Sequence, residues 1–198
     1  MKQVLIFDLS EVLIAGLPGV ERTLSTRLSC SDKEILSALG GDLMRSLCCD
    51  EISEDEYISR ITARERWDVS SDELKSAFRL NFHHRIPGMG EILTRLANRY
   101  ELILLSDHAR EWVDYIHEIH PFLNIFKEQY FSFELKQMKQ VSSTFTKVLK
   151  DIRYYPNECL FIDDSQRNID SAATVGVMGI RFENAEQLLG KLSEISML

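Results

Sequence analysis

No run of apolar residues in this 198-residue chain approaches the roughly 20 that a membrane-spanning helix needs. Its N-terminus also lacks the basic-then-apolar pattern of a secretory signal, so neither export nor membrane anchorage is expected. Cysteine is scarce. Cys30, Cys48, Cys49 and Cys159 show neither metal-site nor disulfide-framework spacing, and the expectation is reduced, mostly buried thiols in a cytoplasmic protein. Positive charge is short as well: 23 Lys and Arg against 31 Asp and Glu leave a net charge of −8. That balance argues against a nucleic-acid or anionic-membrane binder, since no basic surplus exists to neutralise phosphates. It leaves room for a small phosphorylated ligand, because one lysine and a divalent cation make a local positive site. Internal repeats, low-complexity tracts and flexible linkers are absent too.

What the chain does have is three short apolar runs that end in the same way. Gln3–Val4–Leu5–Ile6–Phe7 runs into Asp8, Glu101–Leu102–Ile103–Leu104–Leu105 into Ser106–Asp107, and Cys159–Leu160–Phe161–Ile162 into Asp163–Asp164. Runs this short read as strands buried on both faces. An isolated Asp or Ser after a strand is commonly a turn residue or helix cap. Three such endings together place their polar groups at the carboxyl edge of one parallel sheet, where ligands bind in open α/β folds.

Between these runs, helical patterns dominate. Ser31–Asp32–Lys33–Glu34, Ser53–Glu54–Asp55–Glu56 and Ser70–Ser71–Asp72–Glu73 each match the capping-box pattern, a hydroxyl followed three residues on by Glu. Leu36, Leu39, Leu43 and Leu47 are expected to line one side of a small bundle, and Tyr57, Ile58, Ile61 and Trp67 another. From Pro87 onward helices and strands alternate, with helices near 110–118, 142–151 and 166–175 and strands near 129–133 and 177–181. The expected architecture is α/β, a doubly wound parallel sheet, with residues 1–15 and 86–198 forming the core and residues 16–85 an inserted helical unit.

Phe7–Asp8–Leu9–Ser10–Glu11–Val12–Leu13, Leu105–Ser106–Asp107, Lys139, and Phe161–Ile162–Asp163–Asp164–Ser165–Gln166–Arg167–Asn168 resemble the four motifs of the haloacid dehalogenase-like hydrolases. The insertion resembles their C1-type helical cap. Within that superfamily the chain is similar to small sugar-phosphate phosphatases of the glucose-1-phosphate phosphatase kind. The resemblance implies a Mg²⁺-dependent hydrolase of a small phosphorylated metabolite, a sugar phosphate being favoured, acting as a monomer or homodimer. It implies Asp8 as the nucleophile that becomes an aspartyl-phosphate, a chemistry open to an ionised carboxylate. Mg²⁺ would meet Asp8, the backbone carbonyl of Ser10 and Asp164, with Asp163 acting through water. Ser106, the backbone N–H of Asp107 and Lys139 would hold the phosphoryl group, Asn168 would order the fourth loop, and His108 is a candidate substrate contact.

Several positions carry competing readings. Lys136 rivals Lys139 as the third-motif lysine, because Lys136 and Gln140 stand where the family pattern has a glycine and a proline around Lys139. Ser10 stands where most phosphatases of the superfamily carry a second aspartate, and a hydroxyl is a poor general acid. That departure keeps open a metal-independent 2-haloacid dehalogenase and a non-catalytic phospho-ligand-binding relative, with Glu11 an outside candidate for the proton transfer. His83–His84 reads as a hinge or surface pair rather than a metal site. Cys48–Cys49 reads as helix interior. Residues 16–22 and 41–48 are expected to overhang the site, with Arg22 and Arg45 more simply surface arginines.

Overall fold

In a strand, alternate side chains face opposite sides of the sheet, so a strand that is apolar throughout needs a cover on both faces. The structure, a computed structural model, describes residues 3–198. The first two positions of the expected 1–15 segment lie outside the described residues. The first strand, β1 (Val4–Phe7), is buried along its whole length and occupies the middle of a five-stranded parallel sheet of order β3-β2-β1-β4-β5. The others are β2 (Glu101–Ser106), β3 (Glu128–Phe131), β4 (Cys159–Asp163) and β5 (Met178–Arg181).

Two apolar layers cover the sheet. Val4, Ile6, Ile103, Leu105 and Phe161 face one layer with Phe145, Val148 and Ile169 from the helices α9 (Ser143–Ile152) and α10 (Gln166–Ala173). Leu5, Phe7, Leu102, Leu104, Leu160 and Ile162 face the other, with side chains from α6 (Met89–Ala97), α7 (Arg110–Ile119) and α11 (Ala185–Glu194). The α/β doubly wound architecture expected from the alternation is what forms.

Between β1 and α6 the chain builds five helices: α1 (Val20–Leu24), α2 (Asp32–Leu39), α3 (Gly41–Cys48), α4 (Glu54–Glu65) and α5 (Ser71–Phe82). Ser31, Ser53 and Ser70 accept the backbone N–H of Glu34, Glu56 and Glu73, and at Ser31 and Ser70 the Glu side chain returns the bond. Two chain segments join this helical unit to the sheet. Ile14 bridges Arg85 in antiparallel fashion, Ala15 N donates to His84 O at 2.8 Å, and Ile86 N donates to Leu13 O at 2.9 Å. His83 lies beside this crossing and its Nε2 meets the Tyr115 hydroxyl at 2.7 Å.

Some local readings need correction. Leu36 and Leu43 are only half-buried, while Ile35 turns inward with Leu39 in α2; the helix breaks at Gly40–Gly41, and Leu47 is buried from the separate helix α3. Gly41 takes φ +76°, a conformation that favours glycine. Cys48 and Cys49 lie at the C-terminal end of α3, not in a helix interior. The strand expected at 129–133 ends at Phe131, since Ser132 opens the short helix α8 (Ser132–Leu135) and turns its hydroxyl to Cys48 O at 2.6 Å. Among the described residues no disulfide forms, and Cys48, Cys49 and Cys159 are buried. None of the described helices is long and apolar enough to cross a membrane.

A buried carboxylate ties the helical unit to the sheet. Glu54, 3% exposed, receives both terminal nitrogens of Arg79 on α5, one of them at 2.7 Å, and the Trp112 indole N–H of α7 at 2.6 Å. Removing one partner of such a set leaves the others desolvated and unpaired, the costly case. Glu54→Ala should therefore lower stability by about 3 kcal/mol, with a fall in Tm of about 6–12 °C. Urea and thermal unfolding measure it, and a loss under about 1 kcal/mol would contradict the assignment.

Candidate active site

Parallel strands release their C-terminal residues at one edge, and here β1, β2 and β4 lie side by side. Asp8 follows β1 directly, Ser106 ends β2, and Asp163 ends β4 with Asp164 after it. Lys139 enters from the loop between α8 and α9. Its ammonium, 2% exposed, sits between two carboxylates, 2.5 Å from Asp8 Oδ1 and 2.7 Å from Asp163 Oδ2. Lys136 takes a different course. Its backbone is left-handed at φ +55°, and its exposed side chain pairs with Asp50 at 2.6 Å. Of the two lysines, Lys139 is the one at the sheet edge.

The bonds to Asp8 converge on one oxygen. Leu9 N at 2.7 Å, Ser106 Oγ at 3.1 Å and the Lys139 ammonium all address Oδ1. Asp163, fully buried, accepts Ser165 N at 2.8 Å and Asn168 Nδ2 at 3.1 and 3.2 Å. Asp107 uses its side chain in a way the sequence did not disclose. Both carboxylate oxygens accept the backbone N–H of Lys139, at 3.0 and 3.2 Å, and so anchor the loop that delivers the lysine. His108, 2% exposed, has its Nε2 2.8 Å from Ser10 Oγ, while its Nδ1 finds no partner among the described residues. The Phe82 and Trp112 rings each meet the imidazole edge-on at 6.0 Å.

Charge is unbalanced at this edge. Burial acts against the charge on Lys139, yet Asp163, Asp8 and Asp107 more than offset it and hold the ammonium protonated. Asp8 is pushed well above the usual carboxylate range, first by burial and then, against the pull of Lys139, by Asp163 and Asp164. Burial and Asp163 likewise raise Asp164. His108 drops to about 3 through burial and the nearby Lys139, so its imidazole is neutral. The ligand oxygens of Asp8, Asp163 and Asp164 lie within 4.8 Å of one another. An all-oxygen donor set with negative charge to spare fits Mg²⁺ or another hard divalent cation. Asp164, half-exposed, borders the open cleft, whereas Asp163 lies behind it with Lys139.

The cleft encloses about 270 Å³ over Asp8 and Asp164, and Gly16, Leu17, Pro18, Met44 and Cys48 of the helical unit line it. Of the two arginines considered, Arg22 points to solvent, 82% exposed, and Arg45 pairs with Glu51 at 2.9 Å. Neither lines the cleft.

The sequence matches the haloacid dehalogenase-like hydrolase family over residues 5–182, and the chain belongs to that family. It is 24% identical over 145 residues to the chloroplast flavin mononucleotide hydrolase 1 of Arabidopsis thaliana. That alignment covers 73% of this chain and 58% of the relative, so the chain spans less than two thirds of the relative's length. Among solved structures, a HAD family enzyme from Bacteroides thetaiotaomicron, in complex with magnesium and inorganic phosphate, superimposes with a TM-score of 0.75 at 21% identity. The match covers 93% of this chain and 96% of that one. The L-2-haloacid dehalogenase of Xanthobacter autotrophicus, with chloropropionic acid covalently bound, matches at TM-score 0.71 and 13% identity, covering 100% and 85%.

Asp107 gives a test of the electrostatics. Burial raises its carboxyl to about 6, so its ionisation costs folding stability as pH climbs from the ordinary carboxylate value toward 6 and beyond. Asp107→Asn keeps an acceptor for Lys139 N–H without that cost. Without divalent ions, the variant should exceed the wild type in stability by roughly 2 kcal/mol near pH 7.5, the gap closing below about pH 4. Urea unfolding across that range measures it; a variant less stable at pH 7.5, or a gap independent of pH, would contradict the account.

Proposed function

We propose that the protein is a Mg²⁺-dependent phosphomonoester hydrolase that works through a phosphorylated Asp8. The observation that carries this reading is the convergence of Asp8, Asp163 and Asp164 at one sheet edge, the first two paired with the buried ammonium of Lys139. With Oδ1 of Asp8 held by three donors, Oδ2 is the oxygen left to attack phosphorus. The Oδ2–P bond forms as the ester P–O bond breaks, and the electron pair leaves on the ester oxygen. Water then takes the phosphoryl group from Asp8, giving inorganic phosphate and the free carboxylate. Lys139 neutralises charge on Asp8 throughout, and Ser106 fixes the carboxylate's orientation, the kind of preorganised electrostatics phosphoryl transfer relies on. Ser106 and the backbone N–H of Asp107 are our candidates for holding phosphoryl oxygens.

Asp8, Asp164 and the Ser10 carbonyl would hold the metal, with Asp163 behind them. A bound Mg²⁺ supplies charge cancellation between nucleophile and phosphate and fixes their mutual orientation. The names of two similar proteins, a flavin mononucleotide hydrolase and an enzyme crystallised with magnesium and phosphate, support the same chemistry. The similarity to a haloacid dehalogenase supports a second reading, in which Asp8 attacks carbon instead. The acidic pair weighs against it, since two further carboxylates beside the nucleophile would repel a haloacid's own carboxylate.

Phosphate release from a panel of esters that includes flavin mononucleotide tests the proposal. Activity should require Mg²⁺ and vanish with EDTA, Asp8→Asn should lower kcat by about three orders of magnitude or more, and Lys139→Met by about 10²–10³. Metal-independent halide release from a 2-haloacid, with no ester hydrolysed, would replace it with the dehalogenase reading.

A further inference from the structure

The cleft over Asp8 has two unlike parts. Its floor is acidic, whereas its walls are Leu17, Pro18, Met44, Phe82, Trp112 and Met138. Among the described residues that line it there is no Lys, Arg, Asn, Gln, Thr or Tyr. A sugar or other polyol would have to bury several hydroxyls against hydrocarbon and thioether, where they lose water and gain no partner. Above the floor carboxylates, the polar side chains that border the cleft are largely engaged. Glu11 Oε1 accepts Gly16 N at 2.6 Å, both Asp107 oxygens accept Lys139 N, and Ser10 and His108 hold each other. Apart from the floor carboxylates of Asp8 and Asp164, the buried polar atom here without a partner among the described residues is Nδ1 of His108, which suits a single polar substituent and not a ring of hydroxyls.

A second observation is independent of the walls. Ser10 follows the nucleophile by two positions and carries a hydroxyl bonded to a histidine, not a carboxylic acid able to protonate a departing oxygen. An alkoxide leaving group, with a parent alcohol about as weakly acidic as water, whose pKa is about 15.7, needs that proton. A phenolic oxygen, with a pKa of about 10, departs without it.

Both observations converge, and we propose that the site is built for a small aromatic phosphomonoester, an aryl or heteroaryl phosphate whose leaving oxygen is phenolic or enolic. This inference rests on the phosphatase reading above. The Asp8 Oδ2–P bond forms, the P–O(aryl) bond breaks with its electron pair kept on the aryl oxygen, and that oxygen takes its proton from water after departure. The apolar walls hold the ring, and aromatic edges and thioethers are favourable neighbours for it. A volume of about 270 Å³ lies just below the usual range of ligand sites, roughly 300–1,000 Å³, and suits one ring with its phosphate. The favoured substrate class thereby shifts from a sugar phosphate to an aromatic one.

The experiment compares kcat/KM, with Mg²⁺ present, for phenyl phosphate, cyclohexyl phosphate, glycerol phosphate and glucose 6-phosphate. Phenyl phosphate should exceed cyclohexyl phosphate, alike in size and apolarity, by about tenfold or more, the signature of absent leaving-group protonation. Cyclohexyl phosphate should in turn exceed the two polyol esters by about tenfold, the signature of the walls. Ser10→Asp should raise kcat on cyclohexyl phosphate by about tenfold more than on phenyl phosphate. Met44→Asn, at a half-buried position, should lower kcat/KM for phenyl phosphate about tenfold, chiefly through KM, and lower it less for glycerol phosphate. Polyol esters hydrolysed as well as or better than phenyl phosphate would overturn this inference and leave the phosphatase reading standing. Hydrolysis of none of the four would overturn both.

Discussion

One buried ammonium organises this molecule's chemistry. Lys139 is almost wholly withdrawn from water, and a lone charge in that position would be prohibitively costly. It is tolerable because Asp8 and Asp163 close on it from the ends of two neighbouring strands. The dependence runs both ways. Three acids brought within 4.8 Å would repel one another without a cation, and one lysine is not enough to balance them. The sheet order follows from the same need, since only a parallel β2-β1-β4 centre delivers Ser106, Asp8 and Asp163 to a common edge.

The parts of this arrangement were unequally legible in the sequence. Asp8, Ser106 and the Asp163–Asp164 pair announce themselves because each ends a run too apolar and too short to be anything but an inner strand. Lys139 was harder to single out, as it sits in a loop with Lys136 three residues away, and only the left-handed turn at Lys136 sends that side chain out to Asp50. The role of the Asp107 side chain had no sequence signal, because it is a bond to a backbone N–H 32 residues away. The pairing of Ser10 with His108 spans 98 residues and was equally hidden. The helix break at Gly40–Gly41 was visible as two glycines, whereas the inward turn of Ile35 in place of Leu36 within α2 was not.

The helical unit between β1 and α6 completes the site from above. Its contribution to the cleft is apolar, through Leu17, Pro18 and Met44, and it is attached to the helices beside the sheet both by rings, Phe78 and Phe82 on Trp112, and by polar bonds: Glu54 with Trp112, Asp50 with Arg110 and Lys136, and Cys48 O with Ser132. Buried apolar walls strengthen the electrostatic interactions beneath them by excluding water. The replacement of a carboxylic acid by Ser10 then has a coherent setting, in which the cleft gives a ring its surroundings and leaves the departing oxygen to carry its own charge.

The three acids at the sheet edge, Asp8, Asp163 and Asp164, carry two negative charges more than Lys139 can balance, a surplus that one divalent cation would neutralise. Thermal unfolding of the wild type and of Asp164→Asn with and without Mg²⁺ measures this without reference to any substrate. The account predicts that saturating Mg²⁺ raises the wild-type Tm by about 5 °C or more and that the variant loses most of this shift. Equal shifts in the two proteins, or none in the wild type, would contradict it.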